Sequence, residues 1–382
     1  MLDAITKSMD KRIQTDMILL DFSKAFDLVP HKKLIQILKV SKIQEDVIKW
    51  IENLLLTRTQ QTVVDNHLSQ EKKIYSGVPQ GSVIAPLLFN MYINSLLEKI
   101  KSIDEIIALA FADDIKVLSN NSCKLQEALI CVEKWCKVFN LKLNPLKSEH
   151  MCFKPQLNHT FQICGQVIRT VSSTKDLGVT VNNELSWQTH TSLITSKAIS
   201  LSHIILRSFT RSHHFSCIRA YKTYVRPLLE YNTEVWNSCN KGELKRVEQV
   251  QRMFTRKLMK KNNMKYNSYE DRLETLGLQS LELRRLHFDL TMLYKIAHNL
   301  VDLSFEHFFV LTQSRYNLRQ HTLSLKRPAV ANTNILHNNF NYRVIEAWNY
   351  LPNYLVMSES LSAFKTGLNK QVLKRFLSDN QR

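Results

Sequence analysis

Hydrophobic and polar positions change their spacing several times in the first 155 residues. The run MILLDF (17–22) is apolar without alternation and ends in an acid, as a short buried strand would. HKKLIQILKV and EDVIKWIENLLLT carry helical spacing, and the second places Ile48, Ile51, Leu54 and Leu55 on one face. TQQTVV and KKIYS read as strands around a turn at DNHLSQ. GVPQGSV is a loop, punctuated by Gly and Pro. Pro86 suits the first turn of a helix running through PLLFNMYINSLLEKI. IIALAFA then ends on Asp113-Asp114, an alternating segment follows, and KLQEALICVEKWCKVFNL is again helical. This order predicts an α+β fold with an antiparallel sheet covered by helices on one face.

The texture changes near residue 155. FQICGQVIRT and DLGVTV read as a small hairpin and a strand, and from Trp187 onward the pattern is mostly helical with basic residues on the exposed faces. Soft boundaries near 155 and 265 divide the chain into 1–155, 156–265 and 266–382. Trp187, Trp236 and Trp348 lie among apolar neighbours and are expected in cores.

Composition adds a direction. A chain of 382 residues with 44% hydrophobic positions has room for two or three domains. The 7 Gly and 8 Pro are too few for long flexible linkers. The formal charge of +18 is unevenly spread. Residues 1–150 carry 20 Lys/Arg against 18 Asp/Glu, whereas residues 151–382 carry 32 against 16. A basic half beside a neutral one points to a polyanionic partner, nucleic acid or an acidic membrane surface. The 7 cysteines have no zinc-ribbon spacing, and His213, His214 and Cys217 in RSHHFSC lack a matching second pair. Reduced thiols in an intracellular protein are the expectation. No stretch reads as a signal peptide or a membrane span.

Asp113-Asp114 poses the sharpest question. An unpaired buried carboxylate costs several kcal/mol, so both must reach water, a cation or a turn. A hairpin tip is one answer, because Asp favours turns. A metal site is the other. Asp21 also ends an apolar strand, and if the two strands are neighbours, three carboxylates converge at one end of a sheet. Without cations, mutual repulsion would protonate one of them. Mg²⁺ prefers such oxygen ligands and keeps positions open for phosphate. A pair of ions about 3.5–4 Å apart would activate a 3′-hydroxyl and stabilise a leaving pyrophosphate. Adjacent strand residues face opposite ways, so two neighbouring aspartates share one site only at a turn.

Four segments, LLDFSKAFDLVPHKKL, SGVPQGSVIAPLLFNMYIN, FADDIKVL and LKLNPLKSEHM, resemble in order and spacing motifs A to D of reverse transcriptases. The wording is closest to the jockey-like lineage of non-LTR (LINE-type) retrotransposons. The resemblance continues through KDLGVTVNNELSWQTH, YKTYVRPLLEYNTEVWN, VEQVQRMFTRKL and FNYRVIEAWNYLP, so it covers almost the whole chain. It implies a polymerase palm in 1–155, a primer-grip hairpin and thumb-like helical region in 156–265, and a basic helical C-terminal domain in 266–382. It implies RNA-directed DNA polymerase activity: nucleotidyl transfer from deoxynucleoside triphosphates to a DNA primer 3′ end on an RNA template. Two Mg²⁺ ions, with Mn²⁺ as an alternative, would serve it. Asp21, Asp113 and Asp114 would hold the metals, helped by the Phe22 carbonyl.

The resemblance also puts Phe26 under the incoming sugar, and Gln80 and Gly81 along the nucleotide and template. Lys147 would act as general acid toward pyrophosphate, a solvated loop lysine being the plainer alternative. Leu177-Gly178 falls at the primer-contacting hairpin. Asp27 reads as helix-initiating rather than a ligand. The expected setting is the cytoplasm and nucleus, with no membrane and no obligate protein partner. Two departures stand out. Ala85 replaces the usual Gly after the motif B hydrophobic, and only twenty residues precede Asp21, so by the resemblance the fingers segment and the lineage's endonuclease domain are expected to be missing here. A catalytically inactive nucleic-acid-binding remnant is therefore the alternative reading.

Overall fold

The computed structural model describes residues 1–210, 213–237, 240–312, 321–327 and 334–377. Arg211 and Ser212 of RSHHFSC, and Cys239, lie outside them. The chain divides into two compact units, Met1–Ser173 and Thr174–Arg382.

The first unit opens with helix α1 (Leu2–Asp10) and strand β1 (Thr15–Leu20). A single turn, α2 (Ala25–Leu28), and two helices follow, α3 (His31–Val40) and α4 (Glu45–Leu56). Two small ladders come next, β2 (Thr59–Gln60) with β5 (Lys72–Lys73) and, inside it, β3 (Val63–Val64) with β4 (His67–Leu68). The turn between β3 and β4 is Asp65-Asn66, both at positive φ (48° and 64°), the conformation a two-residue hairpin loop demands. DNHLSQ was expected to be turn throughout; its His67 and Leu68 are strand instead.

Helix α5 (Ala85–Lys101) carries Pro86 in its first turn, as its sequence predicts. The hairpin β6 (Ile107–Phe111) and β7 (Asp114–Ser119) leads to α6 (Ser122–Phe139), whose N-terminus is capped by the Asn121 side chain. Strand β8 (Glu149–Phe153), a hairpin of β9 (Gln162–Ile163) and β10 (Gln166–Val167), and β11 (Arg169–Thr170) complete the unit.

The main sheet has the order β11-β8-β1-β7-β6. Four strands pair antiparallel, but β11 joins β8 in parallel. The expectation of an antiparallel sheet is corrected to a mixed one. The chain leaves β8, makes the β9–β10 hairpin and returns along the sheet edge, so β11 runs the same way as β8.

Ile18, Leu20, Ala108, Ile115 and Val117 bury one face in a core shared with Leu88, Phe89, Leu96, Leu125, Leu129 and Trp135 of α5 and α6. The opposite face is not left to solvent, as helices on one face alone would require. Met17, Leu118, Met151 and Phe153 are at most 1% exposed. Helix α1 packs against β1 and buries Ile5 and Met9. That face is thus covered where β1 begins. Phe161, Ile163 and Ile168 belong to the same core as α5 and α6, so the first unit runs about twenty residues past the break in texture near 155.

At the start of the second unit, β12 (Ser173–Asp176) pairs as a hairpin with β13 (Val179–Asn182); the unit's other described elements are helical, apart from a bridge between Leu311 and Leu325. Helices α7 (Gln188–Ser208) and α11 (Lys241–Lys261) pack together, with α8 (His214–Ala220), a π-helical turn at Tyr221–Val225, α9 (Arg226–Glu230) and α10 (Thr233–Trp236) between them in sequence. Further on, α12 (Tyr269–Thr275) packs against α11, and α13 (Leu281–Ala297) contributes to a core with Trp348, Leu355 and Phe364. Trp187, Trp236 and Trp348 are all buried, as expected. Among the described residues no helix is long and apolar enough to cross a membrane.

Candidate active site

Strand pairing brings the acids to one end of the sheet. Leu20 pairs with Ile115, so the next pair outward in this antiparallel register is Asp21 opposite Asp114. Asp113 sits beside them in the two-residue turn that joins Phe111 to Asp114. Ala112, the other turn residue, takes φ 52°, a position that a side chain rarely accepts and that a tight hairpin enforces. The pair therefore sits at the hairpin tip, Asp113 in the turn and Asp114 as the first residue of β7.

The backbone of Asp21 is tied down on both sides. Its N–H donates to Ser148 Oγ (3.2 Å) and its carbonyl accepts from Asn144 N–H (2.9 Å). Ser23 N–H donates to the Lys142 carbonyl (2.8 Å), and Phe22 bridges to Leu143. The segment LKLNPLKSEHM thus forms the wall against which Asp21 is held. Neither the Asp21 nor the Asp113 carboxylate has a hydrogen bond or ion pair with any described residue. Among those residues no three acid, imidazole or thiol side chains already close on a point where they could hold an ion. Carboxylates without a cation repel one another. Hard carboxylate oxygens gathered at one strand end still suit a divalent cation.

A pocket of about 490 Å³ opens beside the acids. Phe22, Phe26, Gln80, Gly81 and Asp113 line it together with Lys24, Ala25, Ser82, Ala85 and Pro86. Five of the residues given a site role from the sequence are therefore gathered at one cavity. Asp21, Asp114 and Lys147 do not line it. Lys147 is exposed in the turn before β8, its N–H donating to the Asn144 carbonyl (3.2 Å).

Phe26 is half-buried and stacks on Phe89, with centroids 4.5 Å apart and planes 14° from parallel. Gln80 Nε2 donates to Asp27 Oδ1 at 2.6 Å. Asp27 does stand in the first turn of α2, but its carboxylate also orients the loop glutamine. That role was missed, because nothing local links positions 27 and 80. Ala25 was missed too, whereas Ala85, noted in the sequence for standing where a Gly is usual, lines the pocket with it. In the second unit, Leu177 (φ 43°) and Gly178 (φ 87°) form the tip of the β12–β13 hairpin, where Tyr231 OH donates to the Leu177 carbonyl at 3.0 Å.

Residues 3–181 match the family model described as "Reverse transcriptase (RNA-dependent DNA polymerase)". The probable RNA-directed DNA polymerase from transposon BS of Drosophila melanogaster is 26% identical over 265 residues, 65% of this chain and 29% of that protein. The RNA-directed DNA polymerase from mobile element jockey of the same species is 24% identical over 296 residues, 70% and 32% of the two chains. Among solved structures, apo telomerase from Candida Tropicalis aligns with a TM-score of 0.43 and 11% identity, over 80% of this chain and 54% of that one. The chain spans about a third of the length of the curated relatives it matches. Over residues 3–181 the chain is thus similar to reverse transcriptases, and over about two thirds of its length to the RNA-directed DNA polymerases of transposon BS and mobile element jockey.

Proposed function

We propose that this chain is the polymerase part of a retrotransposon reverse transcriptase, extending a DNA primer on an RNA template inside the cell. The first unit would be the palm. The β12–β13 hairpin and the helices after it would be the primer grip and thumb, followed by a C-terminal helical domain. The single observation that carries the reading is the pocket at the strand ends, which collects Phe22, Phe26, Gln80, Gly81 and Asp113 from segments far apart in sequence. Such convergence on one cavity favours an enzyme over an inactive remnant.

Asp21, Asp113 and Asp114 would hold divalent cations, Mg²⁺ or Mn²⁺, with the Phe22 carbonyl as a further oxygen donor. When bound, such ions activate a hydroxyl nucleophile and neutralise a leaving pyrophosphate. The chain's own residues do the positioning. Phe26, braced by Phe89, presents its ring to the sugar of a deoxynucleoside triphosphate. Gln80 and Gly81 line the base and template side. Lys147, exposed and near the Asp21 wall, would supply a proton to the leaving group.

The test is Asp113→Asn, which removes a charge and leaves the side chain's shape. Primer extension on an RNA template with Mg²⁺ should fall by at least about a hundredfold, while the melting temperature stays level or rises as repulsion is relieved. An Asp113→Asn protein that extends primers at the unmodified rate ends this assignment.

A further inference from the structure

The loop that carries Gln80 into the pocket has no helix or strand of its own. It is laid along α2 by a row of bonds to that turn. Ser76 Oγ donates to the Asp27 carbonyl (2.8 Å), and Gln80 Nε2 to the Asp27 carboxylate (2.6 Å). Gly77 N–H donates to the Val29 carbonyl and Val78 N–H to the Phe26 carbonyl, each at 2.8 Å. The approach is close enough to require glycine. Gly77 sits at φ 88°, and a Cβ there would come within 2.8 Å of Asp27 Cα and 2.9 Å of the Phe26 carbonyl oxygen.

The Gly77 carbonyl is held from two other places. His31, the first residue of α3, bonds it through Nε2 at 2.9 Å. Arg58, just past α4, donates to it from Nη2 at 2.6 Å. Helices α3 and α4 pack against each other, so the two donors belong to one support. His31 is 3% exposed. Burial, with the Arg58 charge nearby, lowers its pKa and favours the neutral ring. A neutral imidazole facing a carbonyl through Nε2 carries its proton there. Neither His31 nor Arg58 lines the pocket.

We propose that His31 and Arg58 are positioning residues that clamp the Gly77 carbonyl and so hold the Gln80 loop in the form that accepts a deoxynucleoside triphosphate. The inference rests on the pocket reading given above and assigns the side chains that keep its wall in place. A loop free to leave α2 takes Gln80, Gly81 and Ser82 with it. The apparent affinity for nucleotide then falls by the fraction of chains whose loop is in place. Loss of one bond to a buried carbonyl sets the scale at about tenfold.

The experiment compares the unmodified chain with His31→Ala and His31→Gln, Gln being able to reach the carbonyl with an amide N–H. Triphosphate affinity in Mg²⁺, KM and kcat in primer extension, melting temperature and amide exchange at Gly77 and Val78 are measured. His31→Ala should weaken triphosphate binding and raise KM about tenfold with kcat changed by less than about twofold. His31→Gln should recover most of the loss, and duplex affinity and melting should stay level in both. Unchanged affinity in His31→Ala, or a loss that follows melting and is not recovered by Gln, overturns the proposal. If the unmodified chain binds no triphosphate, the pocket reading fails. Amide exchange then judges the clamp separately: faster exchange in His31→Ala, recovered in His31→Gln, keeps the clamp, and equal exchange removes it.

Discussion

Phe26 is fixed from two directions before any substrate arrives. Its ring lies flat on Phe89, which is fully buried in α5, and its carbonyl accepts the N–H of Val78. If the pocket takes a deoxynucleotide as proposed, a ring braced in this way cannot swing aside for a larger sugar. Phe26→Val should therefore admit ribonucleotides more readily, by about tenfold in a competition between ribo- and deoxynucleotides, because one van der Waals wall is worth about 1–3 kcal/mol of discrimination. Stability should fall by about 2 kcal/mol as the half-buried ring leaves Phe89. Discrimination that stays unchanged while stability drops would make Phe26 a core residue and nothing more. Asp113 differs in kind, since no described residue competes for its carboxylate. Its removal should cost chemistry and leave the fold intact.

Between elements, the far end of the sheet shows how charge fastens one segment to another. Asp16 of β1 is buried, and its carboxylate meets His150 Nε2 of β8 at 2.9 Å, His159 Nδ1 at 3.0 Å and Gln14 Nε2 at 3.0 Å. Burial alone would raise its pKa. Hydrogen bonds from His150, His159, Gln14 and the Cys152 thiol together outweigh it and hold the carboxyl at about 2. A carboxylate with a depressed folded pKa adds stability that is present above its unfolded value of 3.8 and is lost as pH falls through about 2. Asp16→Asn should thus cost on the order of 2 kcal/mol at pH 7. The gap between the two proteins should close as melts are taken from pH 5 to pH 2. A gap independent of pH would mean that the carboxylate charge contributes nothing.

The same scale separates what was legible in the sequence from what was not. Helices α3 to α6 could be read because each buries a periodic face, and the Asp113 turn because Asp favours turns and the apolar run stops there, although β6 is an edge strand that leaves Ile107, Leu109 and Phe111 exposed. The parallel β11, the cover given by α1 and the pairing of Gln80 with Asp27 could not. Each is set by contacts between residues far apart in the chain, and a local pattern records only that a face is apolar, not what will lie on it.

At the scale of the whole chain, the charge is concentrated after residue 150, where 32 Lys/Arg stand against 16 Asp/Glu. Within the second unit, α11 gives this excess a shape. Lys245, Arg256 and Lys260 are exposed, and their spacing of eleven and four residues sets them on one stripe of the helix. Val247, Val250, Phe254 and Leu258 are buried on the side that packs. A stripe of cations on a rigid helix matches a line of phosphates and carries no information about bases. Binding of the chain to an RNA–DNA duplex should therefore weaken steeply with salt, by roughly 0.7–0.9 in log–log slope for each phosphate neutralised. It should differ little between sequences. The triple substitution Lys245→Ala, Arg256→Ala and Lys260→Ala should lower the slope by roughly two to three, whereas Lys49→Ala on the first unit should leave it unchanged. Slopes that do not respond to the triple substitution would place the duplex elsewhere on the chain. Stronger binding to anionic vesicles than to duplex would identify the polyanion as lipid, and the basic half as a membrane-binding surface.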